Sequence, residues 1–98
     1  MIEKVLCAAI WIDDGGNYYH QPINIPSGFV ISGWRHGQIL TTMNACGITS
    51  STARKSIQGF ITTKNRFLDR KEARDFVLST GQLESTEWED ELYSEDLY

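Results

Sequence analysis

A chain of 98 residues, 41 % of them hydrophobic, has material for one small core and one domain. No apolar run is long enough to span a bilayer, and no basic stretch followed by a cleavage site opens the chain, so a cytoplasmic protein is expected. The net charge of −4 divides unevenly: residues 84–98 hold Glu84, Glu87, Glu89, Asp90, Glu91, Glu95 and Asp96 with no base, while the body carries nine bases against six acids. Such a tail repels long nucleic acid, which argues against a duplex partner and leaves room for a compact anion on the body.

Residues 4–12 (KVLCAAIWI) are β-prone and almost continuously apolar, as a central strand would be. Asp13-Asp14-Gly15-Gly16-Asn17 is a turn cluster, and Tyr18–Gln21 then reads as a short returning strand, giving a hairpin over 4–21. Pro22 and Pro26 bracket a loop or edge segment. Phe29–Ser32 is expected as a third strand ending at Gly33. From there the period changes. Ile39, Leu40, Met43 and Cys46 recur at helical spacing, which predicts a helix over about 35–46 with Gly47 as its left-handed cap.

Residues 48–56 carry no clear pattern. Ile57–Thr63 reads as another strand, with Gly59 marking a bulge or a close backbone approach. The second helix is announced by Asp69 and Glu72, an Asp form of the capping box, and by Ala73, Phe76, Val77 and Thr80 on one face before Gly81. The expected fold is α+β: an antiparallel sheet with two helices over 1–83, and an acidic C-terminal extension over 84–98. Trp88, Leu92, Tyr93, Leu97 and Tyr98 keep that extension from a plainly disordered composition, so it either docks or stays mobile.

Catalytic apparatus is hard to find. Cys7 and Cys46 sit in apolar segments and are expected as buried, reduced thiols; with His20 and His36 they lack the closely paired spacing of zinc ligands. No metal or other cofactor is expected. Asp13 and Asp14 are turn residues, and the glycines form neither a phosphate loop nor a dinucleotide fingerprint. Arg35-His36-Gly37 has the letters of the phosphohistidine motif of histidine phosphatases, but follows a third strand with too little chain left for that fold. An Arg and a His after a glycine at a helix start still make a reasonable anion site; the alternative is a surface Arg with a His packed beneath it.

The stretch FITTKNRFLDRKEA at 60–73 concentrates Lys64, Arg66, Arg70, Lys71 and, just beyond, Arg74. Arg70 and Lys71 fall in the first turn of the second helix, where cations oppose the helix dipole. A bound phosphate would reverse that preference. Asn65 can hydrogen-bond a base edge or a ribose, and Phe60, Phe67 and Trp11 offer aromatic faces for a purine. The plainer reading is a capped turn, core phenylalanines and a solvated basic face.

Taken as a set, KVLCAAIWIDDG, YYHQP, SGFV and QGFITTKNRFLDRKEA with the following Gly81-Gln82 resemble the first family of phage Thoeris anti-defence proteins, over most of 1–82 and none of the tail. The resemblance implies a non-enzymatic sponge in the cytoplasm of the infected host. Such proteins bind cyclic ADP-ribose-type immune signals, some also cyclic oligonucleotides of the CBASS type, and assemble as dimers or hexamers. On that reading Trp11 and Phe60 stack a purine, Arg35, Arg66 and Arg70 meet the pyrophosphate, and Asn65 and His36 orient ribose or base. A phosphodiesterase acting on the same signals, or an inhibitor working through its acidic tail, are the rivals.

Overall fold

The computed structural model describes residues 2–48 and 55–98. Residues 49–54, within the stretch that carries no clear pattern in sequence, lie outside them. Strand β1 (Val5–Asp13) is central, as its apolar run requires. It pairs antiparallel with β2 (Phe29–Gly33) on one side and with β3 (Lys55–Thr62) on the other, and β3 pairs with β4 (Phe67–Asp69). The sheet order is β2-β1-β3-β4.

The expected hairpin over 4–21 does not form. Tyr18–Gln21 is a loop whose Tyr18 hydroxyl donates to Asp14, and the strand facing β1 begins only at Phe29. The turn cluster at 13–17 instead opens a long loop. Gly28 closes it at φ 90°, where a side chain would run into the Ile12 carbonyl oxygen.

Helix α1 (His36–Ala45) buries Ile39 and Met43, and Gly47 follows at φ 77°. Helix α2 (Arg70–Ser79) has the expected capping box: the Glu72 amide donates to Asp69 Oδ1 at 2.8 Å, and the Asp69 amide donates to Glu72 Oε1 at 3.0 Å. Such a cap contributes about 1 kcal/mol. Both helices pack on one face of the sheet. Val5, Ala8, Ile10, Ile12, Phe60 and Leu68 meet Ile39, Met43, Ala73 and Val77 there.

The acidic extension completes that core. Leu92 is fully buried among these residues, and the short helix α3 (Ser94–Leu97) places Leu97 against them. Burying a leucine is worth about 1.5–3 kcal/mol. The opposite face of the sheet is covered more thinly: Ala9, Ile25 and Phe67 are buried, with Trp11, Val30, Ile57 and Ile61 partly so.

Gly59 marks a close approach, not a bulge. A side chain there would overlap the Leu68 carbonyl oxygen, and the irregularity in the sheet falls at Val5/Cys7. The thiols are less hidden than expected: Cys46 is exposed and Cys7 half-buried, its thiol pushed up by burial. Among the described residues no helix is long and apolar enough to cross a membrane.

Candidate functional site

The residues expected to hold a phosphorylated ligand fall into three places. Trp11 lies on the thinly covered face, because neighbours along a strand point to opposite sides. Its Nε1 donates to the Ser27 carbonyl at 2.8 Å, and its ring tilts 60° against Phe67 with centroids 5.9 Å apart. A cleft of about 200 Å³ adjoins it, lined by Asn24, Ile25, Ile57, Phe67, Asp69 and Glu72 besides Trp11. Its two carboxylates would repel a phosphate.

Asn65 and Arg66 form the turn between β3 and β4. Asn65 is left-handed at φ 57°, and its Nδ2 donates to the carbonyls of His20 and Gln21, each at 3.2 Å. Its own carbonyl accepts from the Ile23 amide at 2.9 Å. Arg66 grips Glu3 with both arms, Nε to Oε2 at 2.8 Å and a terminal nitrogen to Oε1 at 2.9 Å. That guanidinium, with the Thr62 hydroxyl, holds the Glu3 carboxyl below its ordinary range. These residues therefore tie the N-terminus and the 18–25 loop to the turn, which is the capped-turn reading of the sequence.

Arg35, His36, Phe60 and Arg70 come together on the helix-covered face. Phe60 is no stacking platform: it is fully buried, and the His36 ring meets it edge-on at 5.2 Å. His36 is buried too, its Nε2 2.7 Å from the Gly59 carbonyl oxygen. Burial lowers the His36 pKa below its ordinary value, and the nearby Arg70 charge adds to the lowering, against opposing contributions from the Gly59 contact and Glu95. So His36 fixes α1 to β3, as the packed-His alternative holds.

Arg35 precedes α1, and Arg70 opens α2. Between them lies the C-terminal segment. One arm of Arg70 donates to the Leu92 carbonyl at 3.0 Å and the other to Gln58 Oε1 at 2.7 Å, while the Tyr93 ring covers the guanidinium at 4.4 Å. The Leu92 amide donates in turn to the Arg70 carbonyl at 2.9 Å. Arg35 donates to the Tyr98 main-chain oxygen and contacts Ser94 Oγ at 3.5 Å and Glu95 at 3.6 Å. The rings of Trp34 and Tyr98 flank it at 5.7 and 5.1 Å. Each guanidinium thus meets oxygen acceptors and lies over aromatic rings, the two chemistries that suit arginine best.

The sequence pattern of the phage T4 y16D protein family matches residues 4–98. The chain belongs to that family. No curated protein and no solved structure matches it. The family match runs through the acidic extension, so the residues that engage Arg35 and Arg70 are part of it.

For this y16D-family protein Arg35 and Arg70, at the starts of α1 and α2, with the C-terminal segment seated on them, are the candidate site. A cleft of about 390 Å³ remains beside it, lined by Ile57, Gln58, Asp69, Arg70, Lys71 and Glu91. Sequence reasoning named Arg35 and Arg70 as candidates and did not name Trp34, Gln58 or the tail residues that lie against them. The available signal was the recurrence of Leu92, Tyr93, Leu97 and Tyr98 within an otherwise acidic run.

Proposed function

We propose that this phage protein is a binding protein that sequesters a compact phosphorylated signal of the cyclic ADP-ribose type in the host cytoplasm, without turning it over. The observation that carries this reading is the pair of guanidiniums, Arg35 and Arg70, on one side of the sheet at the starts of two helices, each with an aromatic ring over its face. A guanidinium takes phosphate oxygens in two parallel hydrogen bonds. Helix starts add exposed amides of the same sign, and a flat base can share the aromatic surface. The resemblance over most of 1–82 supports the ligand class. Of the residues first expected to bind, Arg35 and Arg70 keep a place in this reading; Trp11, His36, Phe60, Asn65 and Arg66 do not.

The test is calorimetric titration of the protein with cyclic ADP-ribose, followed by heat denaturation and mass analysis of the released ligand. Saturable binding with intact ligand recovered is expected, and lost in the folded Arg35→Ala and Arg70→Ala variants. An absent titration removes the reading. Recovery of linear or cleaved product replaces it with hydrolysis.

A further inference from the structure

The C-terminal segment is held in two unlike ways. Leu92 and Ser94 are buried, and the Leu92 main chain bonds Arg70 in both directions. Beyond Ser94 the hold is mixed: Leu97 packs against the core and Asp96 accepts from the Glu87 and Tyr93 amides, while Glu95 and Tyr98 are more open. Glu95 is exposed and reaches Arg35 at 3.6 Å, through a side chain with 65 % of its surface in water. An ion pair that wet contributes little. Tyr98 is half-buried. Its ring lies 4.3 Å from Trp34 at 33°, its main-chain oxygen accepts from Arg35, and its hydroxyl accepts from the Ala8 amide at 3.3 Å.

What this segment offers Arg35 is specific. It brings a carboxylate, a main-chain oxygen and a flat ring lying against a second flat ring. A nucleotide brings the same pieces, phosphate oxygens and a base. Trp34 is 61 % exposed even with Tyr98 against it and Arg35 over its ring, so much of its surface is open to a flat partner. Sequence gives Trp34 no helical core role, and the structure gives it none: it precedes α1, and its amide is bonded by Gln38 Oε1 at 2.8 Å.

On the ligand-binding reading above, we infer that Glu95 and Tyr98 are an internal stand-in for the ligand: they occupy Arg35 and Trp34 until a phosphate displaces Glu95 and the Tyr98 oxygen, and a base displaces the Tyr98 ring from Trp34. Leu92, Ser94 and Leu97 stay seated as the anchor. Trp34 is thereby assigned to the binding site. The tail sets the apparent affinity, because a ligand that competes with a tethered segment binds only the fraction of molecules in which that segment is released.

The experiment uses the full chain. Glu95→Gln combined with Tyr98→Ala removes the charge and the ring and leaves the Leu92 anchor. Cyclic ADP-ribose is titrated calorimetrically into the parent, the double variant, and the double variant carrying Trp34→Ala. The double variant is expected to bind about tenfold or more tightly than the parent, and Trp34→Ala to reverse that gain. Equal or weaker binding by the folded double variant, with the parent binding, overturns the stand-in and leaves the sequestration reading in place. No binding by either protein removes both. A gain that survives Trp34→Ala overturns the assignment of the base to Trp34. Should the double variant not fold, Glu95→Gln alone carries the comparison, with a smaller gain expected and an unchanged affinity counting against the inference.

Discussion

Arg66 and Glu3 join the β3–β4 turn to the first residues of the chain, the guanidinium Nε and one terminal nitrogen donating to the two carboxylate oxygens at 2.8 and 2.9 Å. A double-mutant cycle of Arg66→Met and Glu3→Gln, read by urea denaturation, is expected to give a coupling of about 1 kcal/mol, since Arg66 is a third exposed. The affinity for cyclic ADP-ribose is expected to stay within a factor of about three of the parent. A large loss of binding in a folded Arg66→Met protein would return Arg66 to the binding site.

The same pair predicts an acid limb. The Glu3 carboxyl lies below its ordinary value of 4.5 because Arg66 and Thr62 bond its charged form. The unfolded chain therefore takes up a proton first as pH falls. Stability from this pair is complete above the unfolded pKa and drains away as pH drops through the lower folded value. Glu3→Gln should flatten the fall in melting temperature between about pH 5 and pH 3. An unchanged slope would mean that the pair contributes nothing.

His36 adds a second limb at higher pH. Its folded pKa lies below 6.5, chiefly through burial, so between the folded value and 6.5 the unfolded chain holds the extra proton. Stability rises with pH across that window and is lost on acidification from 6.5 toward the folded value. Melting temperatures at pH 7.5 and 5.5 should differ in the parent and differ less in His36→Gln. Equal differences in the two proteins would exclude His36 as the source.

Asn65 tests the left-handed turn. Asn65→Gly keeps the φ of 57° accessible but loses the bonds to His20 and Gln21, for an expected cost of about 1 kcal/mol. Asn65→Val adds the steric cost of a β-branched residue there, about 1–2 kcal/mol more. If valine proved no worse than glycine in chemical denaturation, the turn would not be held in this conformation.

Leu92→Ala should cost about 2–5 kcal/mol, as for other fully buried leucines. A loss below 1 kcal/mol would mean that the tail is not part of the core in solution.

Local signals carried the sequence reading where it held. Asp69 and Glu72 specify their own bonds within one turn, and Ile39 with Met43 repeats at helical spacing, so both helices were legible. The apolar run at 5–12 correctly announced a strand with neighbours on both sides. Its partners were misread because Tyr18-Tyr19 has strand-like composition next to a turn cluster, whereas the actual pairing is decided by Phe29–Gly33 far along the chain. Strand β4 was missed because it spans only Phe67–Asp69 and exists through its register with Gly59–Ile61. The basic residues after Thr63 looked like one cluster. The structure separates them, because β4 carries Arg66 to Glu3 at one end and Arg70 to Leu92 at the other. No local pattern in Arg66 could have named an acid at position 3.

The contacts of β1 with the end of the chain also set a schedule for biosynthesis. The Val5 amide and carbonyl are both bonded by the Gln82 side chain, the Ala8 amide by Tyr98, and Leu92 closes the core beneath them. A ribosome making this protein exposes β1 before α1 and α2, which cover much of its apolar face, and the last of that cover comes only with residues 82–98. The sheet therefore stays unfinished until those residues have emerged, a state in which small β-containing proteins are exposed to chaperones and to aggregation.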